Sequence, residues 1–504
     1  MMMVNGSRRV SAGESALIRW LCVAVRAKVP VAEQLGGGKD GLYRRLSALG
    51  PKKGTVAKTI NEYIREGRSV SKFELDGCIR ELRKYRRYDN ALEIIEWMKV
   101  RKINFSLRDY AIHLDLIGKV NGIAAAENYF EGLLPAAKNH RTYGALLNSY
   151  CVEKMADKAV DLFEKMDEMN MISKALPFNN LMSLYMRSEK PERVLLLREE
   201  MKKRDIQPDT FTYNILMHGY SRLNDIEGAE RVFEEIKREN AKVCNWTTYS
   251  NLAVLYVRAG LHEKAELALK MLEEEMGPRN REAYHFLISL YAGISDHGDV
   301  YRVWNSLKSK FIVVTNLSYL IMLQALSNLN DVDGLKKIYE EWESTCSSYD
   351  IRLANTAIGA YLTHDMINEA ESVLRTAIDR SDGPFFRIYE MFIHFFLKNH
   401  QIEEALRCME VATSGIEKNE WRPKLDTINK FIDYFKEAGD VDGFEKFYLY
   451  MKKINCITHR LYCYLLETYI AAGKTASNIR ARVEGDGIEI SSLLEKLITL
   501  LSRE

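Results

Sequence analysis

The chain has almost no net charge: 72 Lys and Arg stand against 70 Asp and Glu over 504 residues. The small basic excess sits at the amino end, where residues 1–40 hold six basic and three acidic side chains, leaving 66 against 67 in the remainder. A polycationic body is thereby excluded, so any nucleic-acid contact must come from a locally basic or stacking surface. Paired cysteine is also lacking. Cys22, Cys78, Cys151, Cys244, Cys346, Cys408, Cys456 and Cys463 are scattered, with no CxxC pair and no histidines at zinc spacing, so they read as reduced thiols and not as a metal or disulfide framework. No stretch approaches the 18 or so continuous apolar residues of a membrane helix. A Gly-rich phosphate loop, GxSxG and HExxH are all missing. The ten histidines are dispersed, and His218 and His285 fall on expected helices, where they read as packed or solvent-facing side chains. The expectation is a chain with no catalytic residues, no metal site, no cofactor and no membrane insertion.

What is present is a repeat, clearest from Thr210 to Met276. TFTYNILMHGYSRLNDIEGAERVFEEIKREN begins at Thr210, and WTTYSNLAVLYVRAGLHEKAELALKMLEEEM begins 36 residues later at Trp246. In each copy two runs with helical apolar spacing flank a polar break, SRLND or RAGLH, which predicts a pair of antiparallel helices. Such a pair is too small to bury its apolar face alone, so a fixed period implies stacked neighbours. An aromatic at Tyr213 and a small residue sixteen positions later at Ala229 serve as a ruler. It finds Leu75, Tyr110, Tyr143 and Phe178 upstream, and Tyr249, Tyr284, Tyr319, Ala354, Tyr389, Ile428 and Tyr462 downstream. Alanine follows at 91, 126, 159, 229, 265, 370 and 405. The aromatic fills the space between two helices and the small residue lets the second approach, so both columns predict core and not a site. The array is expected over 72–475, with units starting near 72, 107, 140, 175, 210, 246, 281, 316, 351, 386, 425 and 459. Before it, LYRRLSALG and TVAKTINEYIREG within 41–71 predict a capping helix pair with Gly50-Pro51 as its turn. After it, 476–504 predicts a closing helix over Ile488 to Ser502, with Asp486 and Glu489 as its capping box.

The first 40 residues differ in character. Arg8, Arg9, Arg19, Arg26 and Lys28 face only Glu14 up to position 30, among Ser7, Ser11 and Ser15. This arginine-rich, serine-bearing, acid-poor composition is that of an organelle transit peptide, with the mitochondrion ahead of the plastid. A secretory signal over ALIRWLCVAV is opposed by Arg19 within the run; an uncleaved arm is the third reading. EQLGGGKDG reads as a linker.

A 35-residue helical hairpin that closes in forms such as RDIQPD and opens with TYN resembles the pentatricopeptide repeat family, in its uniform plant organelle form, over about residues 72–475. The tetratricopeptide alternative wants a glycine where Met217, Ala253 and Ile288 stand. The resemblance implies an all-α, right-handed α-solenoid superhelix whose first helices line a concave surface. It also implies that a base is read by the fifth residue of a repeat together with its last. An amide or hydroxyl beside an amide or carboxylate suits the edge of an unstacked base. The matching pairs are Asn179 with Asp209, Asn214 with Asn245, and Ser250 with Asn280, implying U, then a pyrimidine, then A. Elsewhere the pairs depart from the pattern, as at Ala111 with Asn139, Gly144 with Lys174, and Leu320 with Asp350; Ala, Gly and Leu offer a base no side-chain hydrogen bond. No HxE with CxxC of the deaminase type follows the array.

LYRRLSALG at 42–50 and LRKYRRYDNALEIIEWM at 82–98 are similar to a plant mitochondrial subgroup that includes proteins attached to the mitochondrial ribosome. The second overlaps a basic feature of the first repeat. Asp76, Arg80, Arg83 or Lys84, and Arg87 recur at i, i+4, i+7 or i+8, and i+11, which places them on one face of a continuing helix. Guanidinium groups there suit phosphates, which carry no sequence information; a solvated face pairing with Glu74, Glu81 and Asp89 is the plainer reading. Reversing Arg80, Arg83 and Arg87 to Glu is expected to abolish RNA or ribosome association and leave the thermal transition unchanged. The chain therefore reads as a non-catalytic mitochondrial protein whose partners are single-stranded or ribosomal RNA, with mitochondrial ribosomal proteins beside it. A transcript factor for RNA processing or stability, and a protein-binding scaffold, are the alternatives.

Overall fold

A computed structural model describes residues 41–49, 54–240, 244–381, 385–414, 421–476 and 478–501. The expected targeting segment and linker (1–40) and the Gly50-Pro51 turn lie outside these residues. The described residues hold α-helices and one 3-10 turn, Pro135–Ala137, and no strand. The amino-terminal pair is α1 (Leu42–Ala48) and α2 (Thr55–Arg65). Hairpins follow: α3 (Lys72–Lys84) with α4 (Tyr88–Val100), α5 (Leu107–Asn121) with α6 (Ile123–Glu131), α7 (His140–Val152) with α8 (Ala156–Glu168), α9 (Ala175–Arg187) with α10 (Pro191–Lys203), α11 (Thr210–Arg222) with α12 (Ile226–Asn240), and α13 (Trp246–Arg258) with α14 (His262–Glu275). The chain divides into two compact units after Gly277. The second continues as α15 (Arg281–Gly293) with α16 (His297–Lys310), α17 (Asn316–Asn328) with α18 (Val332–Thr345), α19 (Ile351–Thr363) with α20 (Ile367–Arg380), α21 (Phe386–Lys398) with α22 (Ile402–Ser414), and α23 (Leu425–Ala438) with α24 (Val441–Lys453). It ends in α25 (His459–Ala471), α26 (Ile479–Gly485) and α27 (Ser492–Leu501).

Each hairpin is written by caps and turns. The last residue of one repeat is the N-cap of the next first helix. Asp209 accepts from the Thr212 amide at 2.8 Å, and Asn245 accepts from those of Thr247 and Thr248 at 2.9 and 3.3 Å. Such caps satisfy amides that the first turn of a helix leaves open. Between the two helices of a hairpin the chain reverses through a left-handed residue: Lys154, Glu189, Asn224, Gly260, Ser295, Asn330, Asp365 and His400 all have φ between 56° and 71°. Gly334 shows why glycine recurs at the start of a second helix. A Cβ there would lie 2.0 Å from the Tyr301 hydroxyl, which donates to Asp331 at 2.6 Å while Asp331 caps the Gly334 amide at 2.8 Å.

The small-residue column is core, and so is most of the aromatic one, with Tyr110, Tyr389 and Ile428 half-buried. Ala91, Ala126, Ala159, Val194, Ala229, Ala265, Val300, Leu335, Ala370, Ala405 and Phe444 are all fully buried, and the aromatics beside them pack edge to face, as Phe163 on Phe178 at 5.0 Å and Trp304 on Tyr319 at 5.3 Å. Within the first unit the first helices stack in series, α5 on α7, α7 on α9, α9 on α11 and α11 on α13; within the second, α15 to α25 do the same. The carboxyl end departs from expectation. The described residues of 476–504 carry two helices, and the closing one starts at Ser492, not Ile488. Asp486 is no cap. Its carboxylate takes the hydroxyls of Tyr448 and Tyr462 and the Lys452 ammonium, while the Ser491 hydroxyl accepts from the Leu494 amide and starts α27.

Candidate nucleic-acid interface

In the first unit the stacked first helices leave a groove of about 410 Å³. Asn148 comes from α7; Leu176, Asn179, Ser183 and Arg187 from α9; Asn214 and His218 from α11; Thr247 and Asn251 from α13, with Lys119 of α5 at one end and the capping Asp209 between. The lining is amides, hydroxyls and cations over an apolar base, which suits an unstacked strand.

The fifth and last places of the fourth repeat do meet. The Asn179 amide donates to Asp209 Oδ1 at 3.0 Å, and the Thr212 hydroxyl donates to Asn179 Oδ1 at 2.8 Å. Asn179 is thus engaged on both sides and only 1% exposed. Asn214 differs: its oxygen accepts from Asn251 at 3.1 Å while its Nδ2 is buried without a partner. Ser250 likewise buries an unpartnered hydroxyl. Asn245 and Asn280 cap α13 and α15, Asn280 accepting from the Ala283 amide at 3.3 Å. Capping is therefore a sufficient structural reason for Asp or Asn at the last place, and base contact has to be an additional use. At the fifth place of the seventh repeat His285 turns inward: its Nε2 meets the Ser318 hydroxyl at 2.9 Å, and burial followed by Arg281 lowers its pKa to about 4.

The basic first repeat is rearranged relative to expectation. Helix α3 stops at Lys84, and Arg86 is left-handed with φ 59°, so Arg87 is no longer on that helix. Arg87 instead holds the carbonyls of Ser47 and Leu49 and so fastens the end of α1 to the array. The i+11 register failed because it assumed an unbroken helix through KYRRYD, where the hairpin turn falls. Arg83 pairs with Asp115 of α5 at 2.7 Å and buries an unpartnered Nε. Burial raises the Asp115 pKa, but Lys119 and then Arg83 outweigh it, leaving the carboxyl below its ordinary value. Arg80 and Lys84 remain exposed. Arg80 lines a cavity of about 180 Å³ with Asp76, Arg83 and Arg108 over Ile79, Met98 and Phe105. Of the four expected phosphate contacts, two stay available on one face and two are structural.

Sequence reasoning missed Lys119 and Arg187. Both stand thirteen residues into their repeats, eight after the base-reading place, as do Lys84, Arg222 and Arg258. That column was legible in the repeat register. The missing step was to follow the reading face two turns further along each helix.

An all-α helical-repeat protein with a polar groove built from successive first helices is the class that fold and site define. The chain belongs to the pentatricopeptide repeat family: models described as PPR repeat family match residues 177–222 and 208–253, and one described as PPR repeat matches 141–171. It is 47% identical to a mitochondrial pentatricopeptide repeat-containing protein of Arabidopsis thaliana, over 91% of this chain and 86% of that one. It is 37% identical to the Arabidopsis large ribosomal subunit protein mL101, over 92% of this chain and 96% of that one. The crystal structure of maize PPR10 resembles it at 17% identity and a TM-score of 0.44, covering 91% of this chain and 69% of that one. The mitochondrial names of its relatives agree with the amino-terminal composition, and the chain is mitochondrial.

Proposed function

We propose that this protein binds single-stranded RNA through the groove of α7, α9, α11 and α13, without catalysis, as a component attached to the mitochondrial ribosome. The observation that carries the RNA reading is the groove itself, where Asn179 and Asp209 meet at 3.0 Å beside Asn214 and its unpartnered amide. By the repeat register the fourth to sixth repeats would take U, a pyrimidine and A, with Asn179 and Asp209 reading the first and Asn214 and Asn245 the second. Arg80 and Lys84 would hold phosphates upstream. Three bases define no unique transcript, which favours RNA held by a larger assembly, and the similarity to mL101 over nearly the whole of both chains supports the ribosome as that assembly.

Sedimentation of the tagged protein from mitochondrial extract, with and without RNase, tests this. Co-migration with the large ribosomal subunit is the expected result. Small RNase-sensitive particles would replace the ribosomal reading with a transcript-binding one, and small RNase-indifferent complexes would replace both with a protein scaffold.

A further inference from the structure

We infer that His218 contacts the ribose of the bound strand, so that the groove's preference for RNA over DNA is set one helical turn beyond the base-reading place; this rests on the RNA reading above. On α11, Asn214, His218 and Arg222 stand at i, i+4 and i+8, one above another on a single face. On α9, Asn179, Ser183 and Arg187 repeat the order of amide, small polar group and guanidinium. Two turns of helix span about 11 Å, comparable with the reach from the pairing edge of a base through its sugar to its phosphate. If the first rung meets the base and the last the phosphate, the middle rung faces the sugar.

His218 has the chemistry for that place. It lines the groove, and its Nε2 is buried with no hydrogen-bond partner. Burial first, then Arg258 and Arg222, lower its pKa to about 4, so it stands neutral between cations. A neutral imidazole offers one N–H and one lone pair, and can both donate to and accept from a hydroxyl. An imidazolium would compete with the arginines for phosphate. Helix α11 carries two further unpartnered buried polar atoms, Asn214 Nδ2, whose residue lines the same groove, and Ser221 Oγ. Such atoms are destabilising unless something supplies their partners, and the 2′-hydroxyl is the group that distinguishes RNA from DNA.

The test uses the full chain and two 20-nucleotide probes, a uridine tract containing UUA and its all-deoxy counterpart with the same bases, read by fluorescence anisotropy. The RNA should bind about tenfold more tightly. His218→Ala should weaken RNA about three- to tenfold, the worth of one hydrogen bond, and leave DNA binding unchanged. His218→Gln, which keeps a donor and an acceptor, should restore most of the loss. A single 2′-deoxy substitution moved along the RNA should weaken the wild type at one position and leave His218→Ala indifferent there. Equal binding of the two probes, or an equal loss on both in His218→Ala, would overturn the ribose assignment while the RNA reading stands. Failure to bind either probe would overturn both.

Discussion

Asp209 serves two ends, and its removal separates them. It caps α11 and holds the Asn179 amide, so Asp209→Ala should cost about 1 kcal/mol of stability, the usual worth of such a cap, measured by urea unfolding. Loss of RNA affinity well beyond that of an equally destabilising core variant would mark a contact with the base. The arginines of the first repeat separate in the opposite way. Arg87→Ala frees the carbonyls of Ser47 and Leu49, and should speed amide exchange in α1 and α2 with RNA affinity unchanged. Arg80→Glu with Lys84→Glu should weaken RNA and leave the melting temperature in place. The triple reversal that includes Arg83 and Arg87 mixes the two effects, because Arg83 is paired to Asp115.

At the scale of the element, the hairpin depends on close approach of its two helices. Ala229 and Ala265 are fully buried, and α11 with α12, and α13 with α14, pack where they stand. Ala265→Leu forces three extra carbons into a filled space, and overpacking of this kind costs about 1–3 kcal/mol. A lower melting temperature, with the helix content of the folded state kept, is the expected result. The same geometry explains the basic column. A side chain at the fifth place and another eight residues on share a face, so Arg187 lies in the groove because Asn179 does.

The whole molecule has near-neutral charge, so salt dependence of RNA binding should report the groove and not the bulk. For single strands each phosphate contact contributes roughly −0.7 to the slope of log affinity against log salt; Arg187→Ala should reduce the slope by about that amount. Acid sensitivity should reach both units. His218 lies in the first and His285 in the second, each held near pKa 4 by burial and neighbouring arginines. Below pH 6.5 the unfolded chain protonates these imidazoles while the folded chain refuses the proton until about pH 4. Stability is therefore complete above pH 6.5 and falls as the pH drops through that window. His218→Gln with His285→Gln should flatten the fall in melting temperature between pH 6.5 and 4.5.

The sequence by itself determined the repeat, the helix pairs and the buried columns, because periodicity records which face of a helix is covered and the covering neighbour is another copy of the same motif. The family resemblance carried by the repeat marked Asn179 and Asp209 as partners. Tertiary structure decided what each polar residue is free to do. Arg80 and Arg87 belong to one basic run, IRELRKYRR, yet one is exposed and the other grips a carbonyl forty residues upstream. Asn179 and Asn214 hold equivalent places, yet one has its amide on Asp209 and the other keeps an unpartnered amide. Helix register is a local property that sequence spacing carries. The hydrogen-bond partners of a side chain come from distant segments and exist only once those segments are packed.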